Sequence, residues 1–154
     1  MCPFAAEPRK AGRVRTVVTD VPDLDGALTV CAEEVAGLLE HSPEQRSTTL
    51  IGLPAWESYT DFLDLLGSLD ALLEHAQATG IVQVVGFHPE AVFADEPSDD
   101  PANYAARAPM AVVHLLREDE VAAAVAAHPD AQGISLRNAA HLRARAASGN
   151  WPPF

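Results

Sequence analysis

Two apolar rhythms alternate along the first half of the chain. Leu24, Leu28, Cys31, Val35 and Leu38 recur at steps of four, three, four and three, which lines them up on one face of a helix. Phe62, Leu66, Leu69, Leu73 and Ala76 repeat the same pattern. Asp23 supplies an N-cap for the first helix, which ends near His41-Ser42-Pro43. Ser58 with Asp61 forms a capping-box variant for the second, with Gly80 placed as its C-cap. Between and around these helices run short β-branched segments. The pattern predicts strands over 13–18, opened by Gly12, over 48–53, stopped by Pro54, and over 81–87, ended by His88-Pro89.

The segment from Pro89 to Ala108 breaks both rhythms. Asp95, Glu96, Asp99 and Asp100 load it with acid, and Pro97 and Pro101 deny it a helix. Loops of this length are functional or disordered in compact domains, and Phe93 and Tyr104 give this one something to pack with. Beyond it, Pro109 and the valine pair favour a fourth strand over 110–116. An alanine-rich helix then covers Asp119 to Ala127, and Ser135 caps a last helix through Ala147.

The order β-α-β-α-β-β-α-α specifies an α/β fold, a four-stranded, mostly mixed sheet covered by helices. Crossovers between neighbouring parallel strands should be right-handed, and the third and fourth strands are placed to pair antiparallel. The 154 residues make one domain, with 1–11 an irregular N-terminal segment and 148–154 a tail.

Composition narrows the classes of function. Ten Lys+Arg against 22 Asp+Glu give a formal net charge of −12, which excludes ordinary phosphate-backbone binding and hence nucleic-acid partners. No apolar run is long enough to span a membrane, and the N-terminus lacks a signal-peptide core. Two cysteines fit a reducing cytosol and no disulfide framework, so the expected location is cytoplasmic. Cofactor and oligomeric state are left open.

No phosphate loop, HExxH, CxxC or GxSxG occurs. His88 stands just past a buried strand, where α/β sheets place ligands. It serves either as acid or base or as a turn histidine that hydrogen-bonds the long loop. His114, inside the fourth strand, is either satisfied by a neighbouring carbonyl or brought toward His88. Arg107 and Arg117 could clamp a carboxylate or phosphate, or pair with nearby acids. Side chains alternate across a sheet, so His114 and Arg117 share a pocket only if the strand bulges. Cys31 reads as a small core hydrophobe; Cys2 lies in a Pro-flanked segment.

Phe87-His88-Pro89, Asn103-Tyr104, Arg107 with Pro109, and His114-Leu115-Leu116-Arg117-Glu118 resemble the bacterial domain-of-unknown-function family 1415. So do Cys2-Pro3-Phe4-Ala5, Thr48-Thr49-Leu50, Tyr59 with Asp61-Phe62-Leu63-Asp64, and Asn138. The resemblance implies a soluble bacterial protein and carries no activity with it. Where the family shows Asn-Tyr-x-Asn-Arg-Ser-Pro, Ala106 and Ala108 replace two side chains able to hydrogen-bond.

Two functions follow. One is a small enzyme for a small polar or anionic substrate, with Cys2, His88 and His114 catalytic and Asn103, Tyr104, Arg107 and Arg117 binding. A zinc variant would use Cys2, His88 and His114 as ligands, although the preferred form has no metal. The alternative is a non-catalytic binding or accessory module whose polar cluster is structural. An open, concave cluster favours the first, and a sealed, satisfied one the second.

Overall fold

The computed structural model describes residues 6–149 and 151–152. Four strands, β1 (Val14–Val18), β2 (Thr48–Leu53), β3 (Val82–Phe87) and β4 (Ala111–Arg117), form one mixed sheet in the order β1-β2-β4-β3. Each lies within a residue of its expected bounds. β1 and β2 are parallel neighbours, and β4 runs antiparallel to both β2 and β3. The antiparallel β3–β4 pair is therefore as expected. β2 and β3 are not neighbours, because β4 inserts between them.

Helices α2 (Leu24–Glu40) and α3 (Tyr59–His75) cover one face. Asp23 Oδ1 accepts from Gly26 N at 2.8 Å and Ser58 Oγ from Asp61 N at 3.3 Å, so both caps form as the sequence predicts. The core fills the space between these helices and the sheet: Ala27, Cys31, Val35 and Leu38 from α2, Phe62, Leu65, Leu69 and Leu73 from α3, and Ile51, Leu53, Val113 and Leu115 beneath. Two stripe assignments change. Leu24 and Ala76 are exposed, while Ala27 and Leu65 take core positions. Gly80 is not the C-cap: α3 ends at His75, Gln77 turns with φ 53°, and Gly80, at φ 78°, makes the bend into β3. At Gly86 an added Cβ would lie 2.4 Å from Leu66 Cδ1 and 3.0 Å from Phe62 Cε1, which measures how closely α3 presses on β3.

The other face is dressed differently. Helix α1 (Ala6–Lys10) lies within the stretch read as irregular, and α4 (Glu118–Ala127) follows β4 directly. Both border this face, and α4 buries none of its residues completely. Helix α5 (Ile134–Ala147) packs instead on a 3₁₀ turn, Pro101–Ala105, inside the long acidic loop. Its first residue is Ile134 after Gly133, with no side-chain cap, so Ser135 falls inside the first turn and is not the N-cap. Pro101 does not deny the loop all helical structure, since proline suits the first position of a turn capped by Asp100. Arg143 of α5 bonds Asp100 and Glu96 and fastens the helix to the loop. In the expected tail, Trp151 meets Tyr104 edge-on at 4.3 Å.

Candidate functional site

Strand alternation decides which residues can meet. On β4, Ala111, Val113, Leu115 and Arg117 are buried toward the α2–α3 side, and Val112, His114 and Leu116 point the other way. Register carries this across the sheet. Leu50 and Val85 pair with His114, and Thr48 and Gln83 with Leu116.

His88 continues β3 onto the helix-covered side and is completely buried. Its ring lies between Tyr59 and Phe62, with centroids 5.2 and 5.4 Å away. Nδ1 accepts from Glu90 N at 3.1 Å, so Nε2 carries the proton and donates to the Trp56 carbonyl at 3.1 Å. Both nitrogens are occupied. This ring staples the β3 exit to the β2–α3 connection, and no open position remains beside it for a substrate.

Asn103 is equally buried. Its side-chain oxygen accepts from Phe93 N at 2.9 Å, and its amide donates to the Pro97 and Ser98 carbonyls at 2.7 and 3.4 Å. Arg107 donates to the Ala91 and Ser98 carbonyls at 3.0 and 2.9 Å and lies over the Tyr104 ring at 4.9 Å. These three residues knot the acidic loop onto itself. Arg117 reaches under α2, where Nε donates to the Arg46 carbonyl at 3.0 Å and Nη2 to those of Leu38 and His41 at 2.5 Å. A cation there satisfies carbonyls that the helix end leaves unpaired and opposes the negative end of its dipole. The guanidiniums expected to clamp an anion are held by backbone oxygens.

The four residues expected in one pocket do not come together: His114 and Arg117 border a common groove, and His88 and Arg107 do not line it. The two histidines point to opposite faces, so they cannot jointly hold a metal with any third ligand. Among the described residues no group of three His, Cys, Asp or Glu is arranged for one. Cys2 lies outside the described residues. Cys31 is buried in the core, where desolvation pushes its thiol up to about 12, and this keeps it protonated and unreactive.

What the sequence reading missed is the face opposite the core. A groove of about 1060 Å³ runs along it. Val14, Thr16, Leu50, Val85, Phe87 and Leu116 make the floor, Pro8 of α1 one wall, and Val121 and Ala124 of α4 another. Arg13 ties the walls together, bonding Glu7 of α1 and Glu120 of α4, while Ser47 Oγ donates to the other oxygen of Glu120 at 2.6 Å. The alternation in β2, β3 and β4 carried the signal: apolar residues occupy both faces of these strands, more than one helical layer can cover.

His114 lies in that floor. Thr48 Oγ1 is 2.6 Å from both His114 Nε2 and the Leu115 carbonyl oxygen. A carbonyl only accepts, so the single hydroxyl proton goes to Leu115 and Nε2–H donates to Thr48. Nδ1 keeps its lone pair, and no described residue takes it up. Burial lowers the His114 pKa to about 4, so the ring is neutral at pH 7. Chemically the groove offers an apolar floor in which His114 Nδ1 is a fixed hydrogen-bond acceptor, with Glu7 and Glu120 also in its lining.

Comparison with known proteins adds one finding. A family model described as "Protein of unknown function (DUF1415)" matches residues 1–150. No curated protein and no solved structure matches the chain. No helix among the described residues is long and apolar enough to cross a membrane.

Proposed function

The chain belongs to family 1415 of proteins of unknown function, and from that premise we propose that it is a binding module whose site is the groove on the open face of the sheet. One observation carries the reading. His88, Asn103, Arg107 and Arg117, first suspected of chemistry, spend their hydrogen bonds on the fold, whereas the groove is large, apolar and half walled. Small-molecule sites are concave, mostly apolar cavities of roughly 300–1,000 Å³ with a few placed polar groups, and this groove has that form with His114 as such a group. Buried, hydrogen-bonded His88 and Asn103, with half-buried Arg107 held by two backbone carbonyls, support the structural role for the polar cluster.

The test is direct titration with the hydrocarbon fluorophore 1,6-diphenylhexatriene. Saturable emission at one probe per chain is expected. Ala124→Trp, which fills the groove from the α4 wall, should weaken it about tenfold or more, a change of roughly 1.4 kcal/mol. Absent or non-saturable emission, or unchanged binding in folded Ala124→Trp, overturns the proposal.

A catalytic reading keeps a smaller set, Cys2 with His114. Its support is that α1, a wall of the groove, begins at Ala6, four positions after Cys2. Four residues span at most about 14 Å. Neutral His114 offers Nδ1 as an acceptor for a thiol proton, so iodoacetamide should alkylate Cys2 faster in the native chain than in His114→Gln. Equal rates exclude the pair.

A further inference from the structure

The hydrogen bonds around His114 say more about the ligand than the shape of the groove does. Thr48 hands its only proton to Leu115, so it can receive His114 Nε2–H but offer nothing outward. Val85 and Leu50 flank the imidazole in register, and Phe87 sits against it with centroids 6.3 Å apart. A group that reaches this ring leaves water for apolar surroundings, and a buried polar group without a partner is destabilising. A ligand oxygen with no proton would meet the Nδ1 lone pair and gain nothing. A carboxylate or phosphate would also meet Glu7 and Glu120, which line the groove, on a chain of net charge −12. Arg13, which might have offset them, already bonds both. Of the other arginines lining the groove, Arg117 spends Nε and Nη2 on backbone carbonyls, and Arg9 is exposed to solvent.

We infer that the ligand is an uncharged molecule of apolar body bearing a hydroxyl, of the long-chain alcohol or phenol class, whose O–H donates to His114 Nδ1. This rests on the groove being the binding site. It departs from the polar or anionic substrate that the sequence suggested, because the arginines invoked for that substrate are held by backbone carbonyls.

Displacement of bound 1,6-diphenylhexatriene tests it with three competitors of matched chain: 1-decanol, 1-methoxydecane and decanoate. Decanol should displace the probe at about one-tenth the concentration of methoxydecane, the difference that one net hydrogen bond makes. Decanoate should be weakest. In His114→Phe, read against that variant's own affinity for the probe, the decanol advantage falls below about twofold. A long-range ¹H–¹⁵N spectrum of the wild-type imidazole, which needs no variant to fold, should show Nε2 protonated and Nδ1 bare. Equal displacement by decanol and methoxydecane, decanoate as best competitor, or a protonated Nδ1 overturns the inference while leaving the groove intact. Failure of the probe itself to bind removes the groove and the inference together.

Discussion

Adjacent threonines on β2 meet opposite surroundings. Thr48 bonds His114 and the Leu115 carbonyl, whereas Thr49 Oγ1 is buried on the core side with no partner among the described residues. Thr48→Val should therefore destabilise the protein by roughly 1–3 kcal/mol, and Thr49→Val should stabilise it by roughly 1 kcal/mol, since it removes an unsatisfied hydroxyl at nearly constant volume. Urea denaturation midpoints with unchanged m-values check both signs. His114 adds a pH term. Its pKa falls from 6.5 to about 4 on folding, so between those values the unfolded chain binds more protons. Stability is then full above about pH 7, declines as pH falls from about 6.5 to about 4, and loses on the order of 3 kcal/mol in all. The measurement is the difference between wild type and His114→Gln, which should lack this slope. The position of His88 at a strand end was legible in the sequence. Its partners were not: Trp56 is 32 positions away, and no local pattern says that its carbonyl will meet Nε2.

At the scale of elements, caps and periodicity were the reliable signals. Asp23 and Ser58 stop the chain from continuing as strand by accepting backbone N–H bonds, and the stripes they introduce bury against the sheet. The far ends of helices were harder to read. The cap that closes α2 is Arg117, from 76 residues beyond His41, whose carbonyl it holds. Arg117→Met should cost roughly 2–4 kcal/mol, because it strips a charged donor from three buried or half-buried carbonyls; thermal and urea unfolding measure this. Gly86 is another long-range requirement that hydropathy does not show. Gly86→Val should cost roughly 2 kcal/mol by driving α3 off β3 at Leu66 and Phe62. The long loop looked structureless because proline and acid break both periods, yet buried Asn103 and the Arg143 ion pairs hold it by side chains.

For the whole molecule, the alternation of strands and helices made the α/β class legible, but not the sheet order, because the 89–108 stretch gives no length rule for where β4 lands. The two faces should differ in local stability. α2 and α3 contribute the core, while α4 and α5 bury no residue fully. Amide exchange in α4 and α5 should accordingly be faster than in α2 and α3, and diphenylhexatriene should slow α4 selectively. The place of β4 has a consequence for synthesis. Among the described residues it is the last strand made and the only strand partner of β3. A ribosome that has released residues 1–110 holds a sheet split in two, with β2 and β3 both presenting unpaired backbone to solvent or to each other's copies. Nucleation must wait for the final third of translation, with long loops already spanned. Arrest peptides that report force on the nascent chain should register folding in one step, only after residue 117 clears the exit tunnel.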